Sequence, residues 1–220
     1  MERALIIGAS GGIGAALVRA LEARGAEVRG LSRTEHGLDV TDPDSVDAAM
    51  GRVDGPFDRI VIATGILAPD AAGPEKSLDA IDADAMARTL AVNAIGPALI
   101  LRHVPRLLPR GKRCVVAVLT ARVGSIGDNR LGGWYSYRAS KAAANQVVRT
   151  AAIEIARKHE QAIVAALHPG TVATRFTRRY PAHRKIAPPD AAESLIRVMD
   201  GLGPDQTGQF FDRRGTAVPW

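Results

Sequence analysis

The sequence predicts an α/β fold: a single Rossmann domain over residues 1–220, with a doubly wound parallel sheet of about seven strands flanked by helices. Three observations predict it. Short β-branched runs alternate with longer Ala-rich helical patterns, as in βαβ units. A glycine-rich turn directly follows the first apolar run and opens a helix. Connections are short, and no Pro-, Gly- or Ser-rich linker divides the chain.

Each element has its own signature. Residues 4–7 are a short apolar run ending at Gly8 and read as the first strand. Residues 12–24 carry amphipathic periodicity and stop at Gly25, a favourable C-terminal residue for a helix. A second strand covers 27–31, and a shorter one 37–40. Pro43 fits the first turn of a helix over 43–52, with Asp42 or Thr41 as cap. Strands follow at 59–63, 113–119 and 162–167. The Ala-rich segments 83–108 and 133–159 read as long helices, with Gly111 as the stop of the first. A helix over 189–201 and a strand at 209–211 close the chain. The longest irregular stretches, 67–82, 124–132 and 171–188, all follow strands. They therefore lie at the carboxyl edge of the sheet, where open α/β folds bind ligands, and 171–188 is the expected substrate loop.

Composition narrows the partners. Hydrophobic residues make up 46% of the 220 and aromatics 4%, which suits small branched strands packed between Ala-rich helices. A formal charge of +6 raises nucleic acid or a membrane surface. The basic residues are dispersed, however, and the densest group, 175–185, has only Phe176 and Tyr180 as aromatics, so neither partner is expected. Cys114 sits in an apolar run and reads as a buried small hydrophobe. No signal-peptide pattern opens the chain and no apolar run is long enough to span a bilayer, so a soluble cytoplasmic protein is expected. His36, His103, His159 and His183 show no metal-ligand spacing, and no metal is expected. His168 has no acidic neighbour in sequence and reads as a packed histidine.

Gly8-Ala9-Ser10-Gly11-Gly12-Ile13-Gly14 links the first strand to the first helix. The G-x-x-x-G-x-G spacing lets backbone N–H groups approach a pyrophosphate, and the helix N-terminus adds open donors and a favourable dipole. A dinucleotide is the expected ligand. Ser32-Arg33 follows the second strand, where the adenosine ribose should fall. An acidic residue there favours NAD, whereas Arg33 can pair with the extra phosphate of NADP and Ser32 can add a hydroxyl donor. Arg33 as a solvated loop charge, or Glu35 facing the ribose, are the competing readings. NADP(H) is expected ahead of NAD(H).

Tyr135-Ser136-Tyr137-Arg138-Ala139-Ser140-Lys141 lies in a predicted helix. Tyr137 and Lys141, four apart, project from one face. A phenol with a pKa of about 10 is a poor acid–base group at neutral pH. An ammonium one turn away favours the phenolate, so the Tyr137 pKa is expected to be lowered. Hydride transfer to a carbonyl needs a proton for the growing alkoxide, and a tuned tyrosine supplies it. A lone Y-x-x-x-K is common on helices; with the glycine turn upstream it points to an oxidoreductase.

With these motifs combined, the chain resembles the short-chain dehydrogenase/reductase family over essentially its whole length. Its segment 122–137 and its ending are similar to the C-factor subgroup. The resemblance implies cofactor contacts from Gly8, Ser10, Gly12, Ile13 and Gly14. It places Asp39 and Val40 at the adenine, and Ala63, Thr64 and Gly65 beside the cofactor. Pro169, Gly170, Val172 and Thr174 meet the nicotinamide amide. Lys141 holds the nicotinamide ribose, and Asn93 supports that lysine through a water. Paired long helices imply a homodimer or homotetramer.

The departures are informative. Ile7 replaces the family's Thr, and Ile62-Ala63-Thr64-Gly65 replaces Asn-Asn-Ala-Gly. With Gly124 as anchor, the usual catalytic Ser is Ala121. Ser125, twelve residues before Tyr137, is then the candidate for polarising the carbonyl, with Thr120 second; a loop serine bonding its own backbone is the alternative. Segment 32–37 looks too short for the helix usually found there. Trp134 and Tyr135 either line a substrate pocket or pack at a dimer interface. Arg175, Arg178, Arg179, Arg184 and Lys185 serve an acidic substrate, the NADP phosphates or solvent. The expected activity is hydride transfer between NADP(H) and a carbonyl or secondary alcohol of a small molecule, with Tyr137 as acid/base. The rival is a cofactor-binding regulatory or signalling protein of C-factor type with little turnover, motivated by Ala121.

Overall fold

A computed structural model describes residues 1–69, 73–179 and 184–220. Part of the expected substrate loop, 180–183, which includes Tyr180 and His183, lies outside the described residues. Six strands form one all-parallel sheet: β1 (Arg3–Ile7), β2 (Glu27–Leu31), β3 (Arg59–Ile62), β4 (Cys114–Leu119), β5 (Ala162–His168) and β6 (Phe210–Asp212). Their order is β2-β1-β3-β4-β5-β6, so the chain reverses direction across the sheet between β1 and β3. That switch point is where such folds open a crevice.

Alternation along the strands divides the core in two. Leu5, Ile7, Ile60, Ile62, Val116, Val118 and Val164 face one layer of helices: α3 (Pro43–Gly51), α5 (Gly96–Leu101) and α6 (Tyr135–Ala156). Ile6, Val61, Val115, Ala117, Ile163 and Leu167 face the other: α1 (Gly12–Ala23) and α7 (Pro188–Gly201). Each fully buried Leu, Ile or Val stabilises the fold by roughly 1.5–3 kcal/mol, and both faces contribute. The central strands therefore read as near-continuous apolar runs, as parallel strands buried on both sides must, while edge strand β2 is partly exposed.

Three expectations are corrected. Residues 37–40 form no strand, so the sheet has six strands instead of about seven. Their polar groups are satisfied locally: Ser45 Oγ accepts the Asp39 N–H at 2.9 Å and donates to the Gly37 carbonyl at 2.8 Å. Segment 32–37 does hold a helix, the single turn α2 (Arg33–His36), closed by Gly37 in the left-handed region.

The expected helix over 83–108 is broken into α4 (Ala83–Leu90), a π-helical turn at Ala91–Ile95, α5 and a 3₁₀ turn at Val104–Leu107. Pro97 has no N–H to give the Asn93 carbonyl, and Pro105 likewise interrupts the far end. The first break has a use, since it turns Asn93 towards the site. No helix among the described residues is long and apolar enough to cross a membrane.

Candidate active site

The phosphate end is built by close backbone packing. Gly8 and Ala9 N–H groups both donate to the Leu31 carbonyl, at 2.8 and 3.0 Å, and Gly11 N–H donates to Gly8 O at 3.0 Å. A Cβ on Gly14 would lie 2.1 Å from the Gly8 oxygen, and one on Gly12 2.5 Å from Thr174 Cγ2. The second contact brings the Pro169–Thr174 segment onto the glycine turn. Gly11 caps α1 with no side-chain bond, and the first turn carries no acid, so its N–H groups face outward unpaired by protein side chains.

Ser10 is exposed and Ile13 half-buried at the same rim. Thr64 Oγ1 is buried beside this cradle and has no hydrogen-bond partner among the described residues. An open helix N-terminus, a cradle that tolerates no Cβ and an orphaned hydroxyl fit the phosphates and polar edges of a dinucleotide.

Ser32 is buried and caps α2, accepting the Glu35 N–H at 3.3 Å. Arg33 is exposed at the first position of that turn. The Asp39 carboxylate accepts the Thr41 hydroxyl at 2.7 Å and the Thr41 N–H at 2.9 Å. These bonds, with the charge of Arg33, hold it below the ordinary carboxylate range. Val40 packs on Gly96, where a Cβ would come within 2.9 Å of it. Ala63 backbone atoms lie 3.0 Å from where a Gly8 Cβ would stand.

Tyr137 and Lys141 rise from the first two turns of α6, and both are buried. Lys141 Nζ donates to the Leu119 carbonyl at 3.1 Å and lies 6.0 Å from the centre of the Tyr137 ring. Asn93 bonds the Ile66 backbone twice, accepting its N–H and donating to its carbonyl, each at 2.8 Å. Its amide also donates to Ser140 Oγ at 3.0 Å, and the Ser140 hydroxyl donates to the Tyr137 carbonyl at 2.9 Å. Gly65 fills the gap between them: a Cβ there would sit 3.2 Å from Asn93 Oδ1 and 3.3 Å from Lys141 Nζ. Asn93, Ser140, Tyr137, Lys141 and the 65–66 backbone thus form one buried cluster.

The expected lowering of the Tyr137 pKa is reversed. Burial holds its phenol above the ordinary value, and burial pushes Lys141 down to about 8. The ammonium is committed to the Leu119 carbonyl while both groups lose their water, so desolvation outweighs attraction between them. Burial thus favours the protonated phenol of Tyr137.

The hydroxyls near the usual Ser position are engaged. Thr120 Oγ1 donates to Asn145 Oδ1 at 2.7 Å and accepts the Ala121 N–H at 2.5 Å. Ser125 is buried and accepts the Asp128 N–H at 3.1 Å, a local turn bond. Gly124 lets this loop rest on α6, since a Cβ would lie 2.7 Å from the Lys141 carbonyl carbon. His168 ends β5 opposite Asp212, and burial holds it down to about 4 against the pull of Asp212. It is a neutral packed histidine.

Two features were invisible in sequence. The Glu75 carboxylate accepts the Ser136 hydroxyl and, at 3.2 Å, the Ser136 N–H, while the Glu75 carbonyl accepts the Trp134 N–H at 2.5 Å. An anion thereby caps the helix that carries Tyr137. Trp134 precedes that helix in the left-handed region, at φ 55°. Its ring meets the Tyr137 ring edge-on at 6.1 Å, and Phe176 meets it from elsewhere at 5.9 Å. Only the three-dimensional path of the 73–82 loop reveals Glu75. The αL residue carries no sequence cue at all, because tryptophan is a poor choice for it.

A nucleotide cradle at the switch point joined to a buried Tyr–Lys–Asn cluster defines a Rossmann-type oxidoreductase. The chain belongs to the short-chain dehydrogenase family, whose profile matches residues 2–185. It is 35% identical to 1-hydroxy-2-glutathionyl-2-methyl-3-butene dehydrogenase from Rhodococcus sp. (strain AD45), covering 100% of both chains. It is 36% identical to C-signal from Myxococcus xanthus, over 76% of this chain and 94% of that one. Its fold is similar to that of NADPH-bound carbonyl reductase from chicken fatty liver, with a TM-score of 0.85, 22% identity, and coverage of 100% and 99% of the two chains.

Proposed function

We propose that the protein is an NADP(H)-dependent oxidoreductase interconverting a carbonyl and an alcohol on a small organic molecule. The observation that carries this is the burial of Tyr137 in one hydrogen-bonded cluster with Lys141 and Asn93, beside a cradle that fits a dinucleotide. A bound NADPH supplies the hydride and NADP⁺ accepts it. Tyr137 delivers a proton from its hydroxyl to the carbonyl oxygen in reduction, and in oxidation its phenolate form takes the proton from the alcohol. Lys141 orients the nicotinamide ribose, and Asn93 fixes the backbone at Ile66 and, through Ser140, the first turn of α6. Gly8, Ser10, Gly12, Ile13 and Gly14 present backbone donors to the pyrophosphate. Pro169, Gly170, Val172 and Thr174 border the nicotinamide. Arg33, exposed at the start of α2, supports the 2′-phosphate of NADP together with Ser32, whose hydroxyl is shared at 3.5 Å with the Glu35 carboxylate. Ser125 orients the carbonyl, keeping its own O–H proton for that oxygen while its lone pair holds Asp128.

Titration of the protein with NADPH and NADH by fluorescence tests the cofactor assignment. NADPH should bind at least about tenfold tighter, about 1.4 kcal/mol; equal affinities would return Arg33 to the solvent. A panel of carbonyl compounds then tests turnover.

A second reading is supported by Ala121 and by the hydrogen bond that commits the Thr120 hydroxyl to Asn145. On it, the protein binds the dinucleotide as a regulatory or signalling module. Tight NADPH binding without turnover on the whole panel would favour it. On either reading, exposed Ile95 and Ile153, on the segments through which relatives are expected to pair, support a homodimer or homotetramer. A monomeric mass by light scattering would exclude that assembly.

A further inference from the structure

We infer that the site selects a substrate carrying one or more carboxylates, drawn in by a cationic lobe that the fold closes over Tyr137. The inference rests on the hydride-transfer reading for what the site does, but not for where the charge lies.

Between Glu160 and Asp190 the chain has no acidic residue, while Arg175, Arg178, Arg179, Arg184 and Lys185 fall within it. The fold ties the two ends of this segment together. Val172 pairs with Ile186 as an isolated parallel bridge. Ala173 N–H donates to Ile186 O and Ile186 N–H to Thr171 O, each at 2.9 Å. Lys185 Nζ donates to the Thr177 carbonyl at 2.6 Å, so Lys185 folds back onto the 3₁₀ turn Arg175–Thr177, with exposed Arg184 adjoining it in the chain.

Phe176, inside that turn, carries the lobe against the Tyr137 ring. Side chains three apart eclipse in a 3₁₀ turn, which sets Arg175 and Arg178 on a common side. Arg213 adds a further cation at the base: a Cβ on Gly170 would lie 2.9 Å from Arg213 Cδ and 3.2 Å from its Nε.

The balance of pairing matters more than the count. Among the described residues, Arg3, Arg24, Arg59, Arg102 and Arg122 each form an ion pair. Arg175, Arg178, Arg184 and Lys185 form none. Among the described acids near the site, Asp128 is paired with Arg122, while Glu75 and Asp212 are held by the Ser136 hydroxyl and by the N–H groups of Arg214 and Thr216 and are outnumbered by these cations. A net positive field beside a partly desolvated cleft concentrates anionic solutes. It acts over about 8 Å at physiological salt, so direct contact by every arginine is not required. Carboxylates on a simple hydroxy or keto acid and those on a glutathione thioether share this chemistry.

Matched substrates separate the possibilities. With saturating NADP⁺ or NADPH, kinetics are measured for a hydroxy- or keto-acid against its methyl ester. They are also measured for an S-(2-hydroxyalkyl)glutathione against the neutral hydroxyalkyl thioether. In at least one pair the acid should show kcat/KM at least about tenfold higher, an advantage that shrinks from about 50 to about 300 mM salt. The pair that shows it identifies the source of the carboxylate. Arg178→Glu and Arg184→Glu should raise KM for the acid by about tenfold more than for its neutral partner while NADPH Kd stays within about twofold.

Equal kcat/KM within both pairs overturns the inference. So does a rise in NADPH Kd that accounts for the loss, which would assign the charge to the cofactor. If no compound turns over, calorimetric titration of the acids into the NADPH complex decides. Saturable binding abolished by the two variants upholds the inference and removes the hydride-transfer reading; no binding overturns the inference.

Discussion

Burial sets the chemistry of individual side chains here. Tyr137 keeps its proton because it is desolvated, and Lys141 is lowered for the same reason. Tyr137→Phe should reduce kcat by about 10²–10⁴ with NADPH Kd unchanged, measured by steady-state kinetics and fluorescence titration. Lys141 has a separate signature in stability. Its pKa falls from about 10.4 in the unfolded chain to about 8 in the fold. Its contribution is therefore complete above the unfolded value and lost as pH falls through about 8. Relative to Lys141→Met, the wild type should gain roughly 2 kcal/mol between pH 7 and pH 10 in denaturant titrations. A difference independent of pH would place Lys141 in water. The spacing of Tyr137 and Lys141 made the pair legible in sequence, and so did Asn93 by resemblance. The direction of the tyrosine shift was not, because desolvation depends on neighbours distant along the chain. Ser140 escaped notice because its bond to Asn93 spans 47 residues.

The helices and loops that hold these side chains fail and succeed for local reasons. α6 has no capping side chain of its own at Trp134. Glu75 replaces that cap from another loop. Glu75→Ala should cost about 1–2 kcal/mol of stability and lower kcat more than it raises KM. Glu75→Gln, which keeps one acceptor, should recover part of both; thermal denaturation and kinetics read the two effects. Unchanged kcat in Glu75→Ala would show that the cap serves stability alone. Strand and helix positions were largely visible from apolar runs and glycine stops. The break at 91–95 was also written in the sequence, as Pro97 in an otherwise helical pattern, but Ala-rich periodicity on both sides masked it. Residues 37–40 misled for the opposite reason: a short apolar pair resembled a strand, although Ser45 takes the Asp39 N–H and the Gly37 carbonyl into local bonds instead of a ladder with edge strand β2.

At the scale of the molecule, the two core layers fix β1 against β3 and leave the crevice between their carboxyl ends for a ligand. Dinucleotide binding should therefore stabilise the whole domain. NADPH at a hundred times its Kd should add about 2.7 kcal/mol, seen as a rise in Tm. Gly12→Ala, whose Cβ would strike Thr174, should abolish that rise. A Gly12→Ala protein that kept the full NADPH shift would show that the ligand sits elsewhere. The fold class was readable because the central strands β1, β3, β4 and β5 carried their own two-sided burial. The closure of 171–174 over the glycine turn was not, since it joins segments about 160 residues apart through one methyl contact.

The left-handed Trp134 has a practical consequence for anyone who breeds this protein for heat resistance. A bulky aromatic at positive φ costs of order 1 kcal/mol that glycine would not. Random libraries selected only on survival after heating should therefore accumulate Trp134→Gly. The same change deletes the ring that abuts Tyr137, so the hardiest clones would be catalytically impoverished, and durability and turnover would have to be screened together.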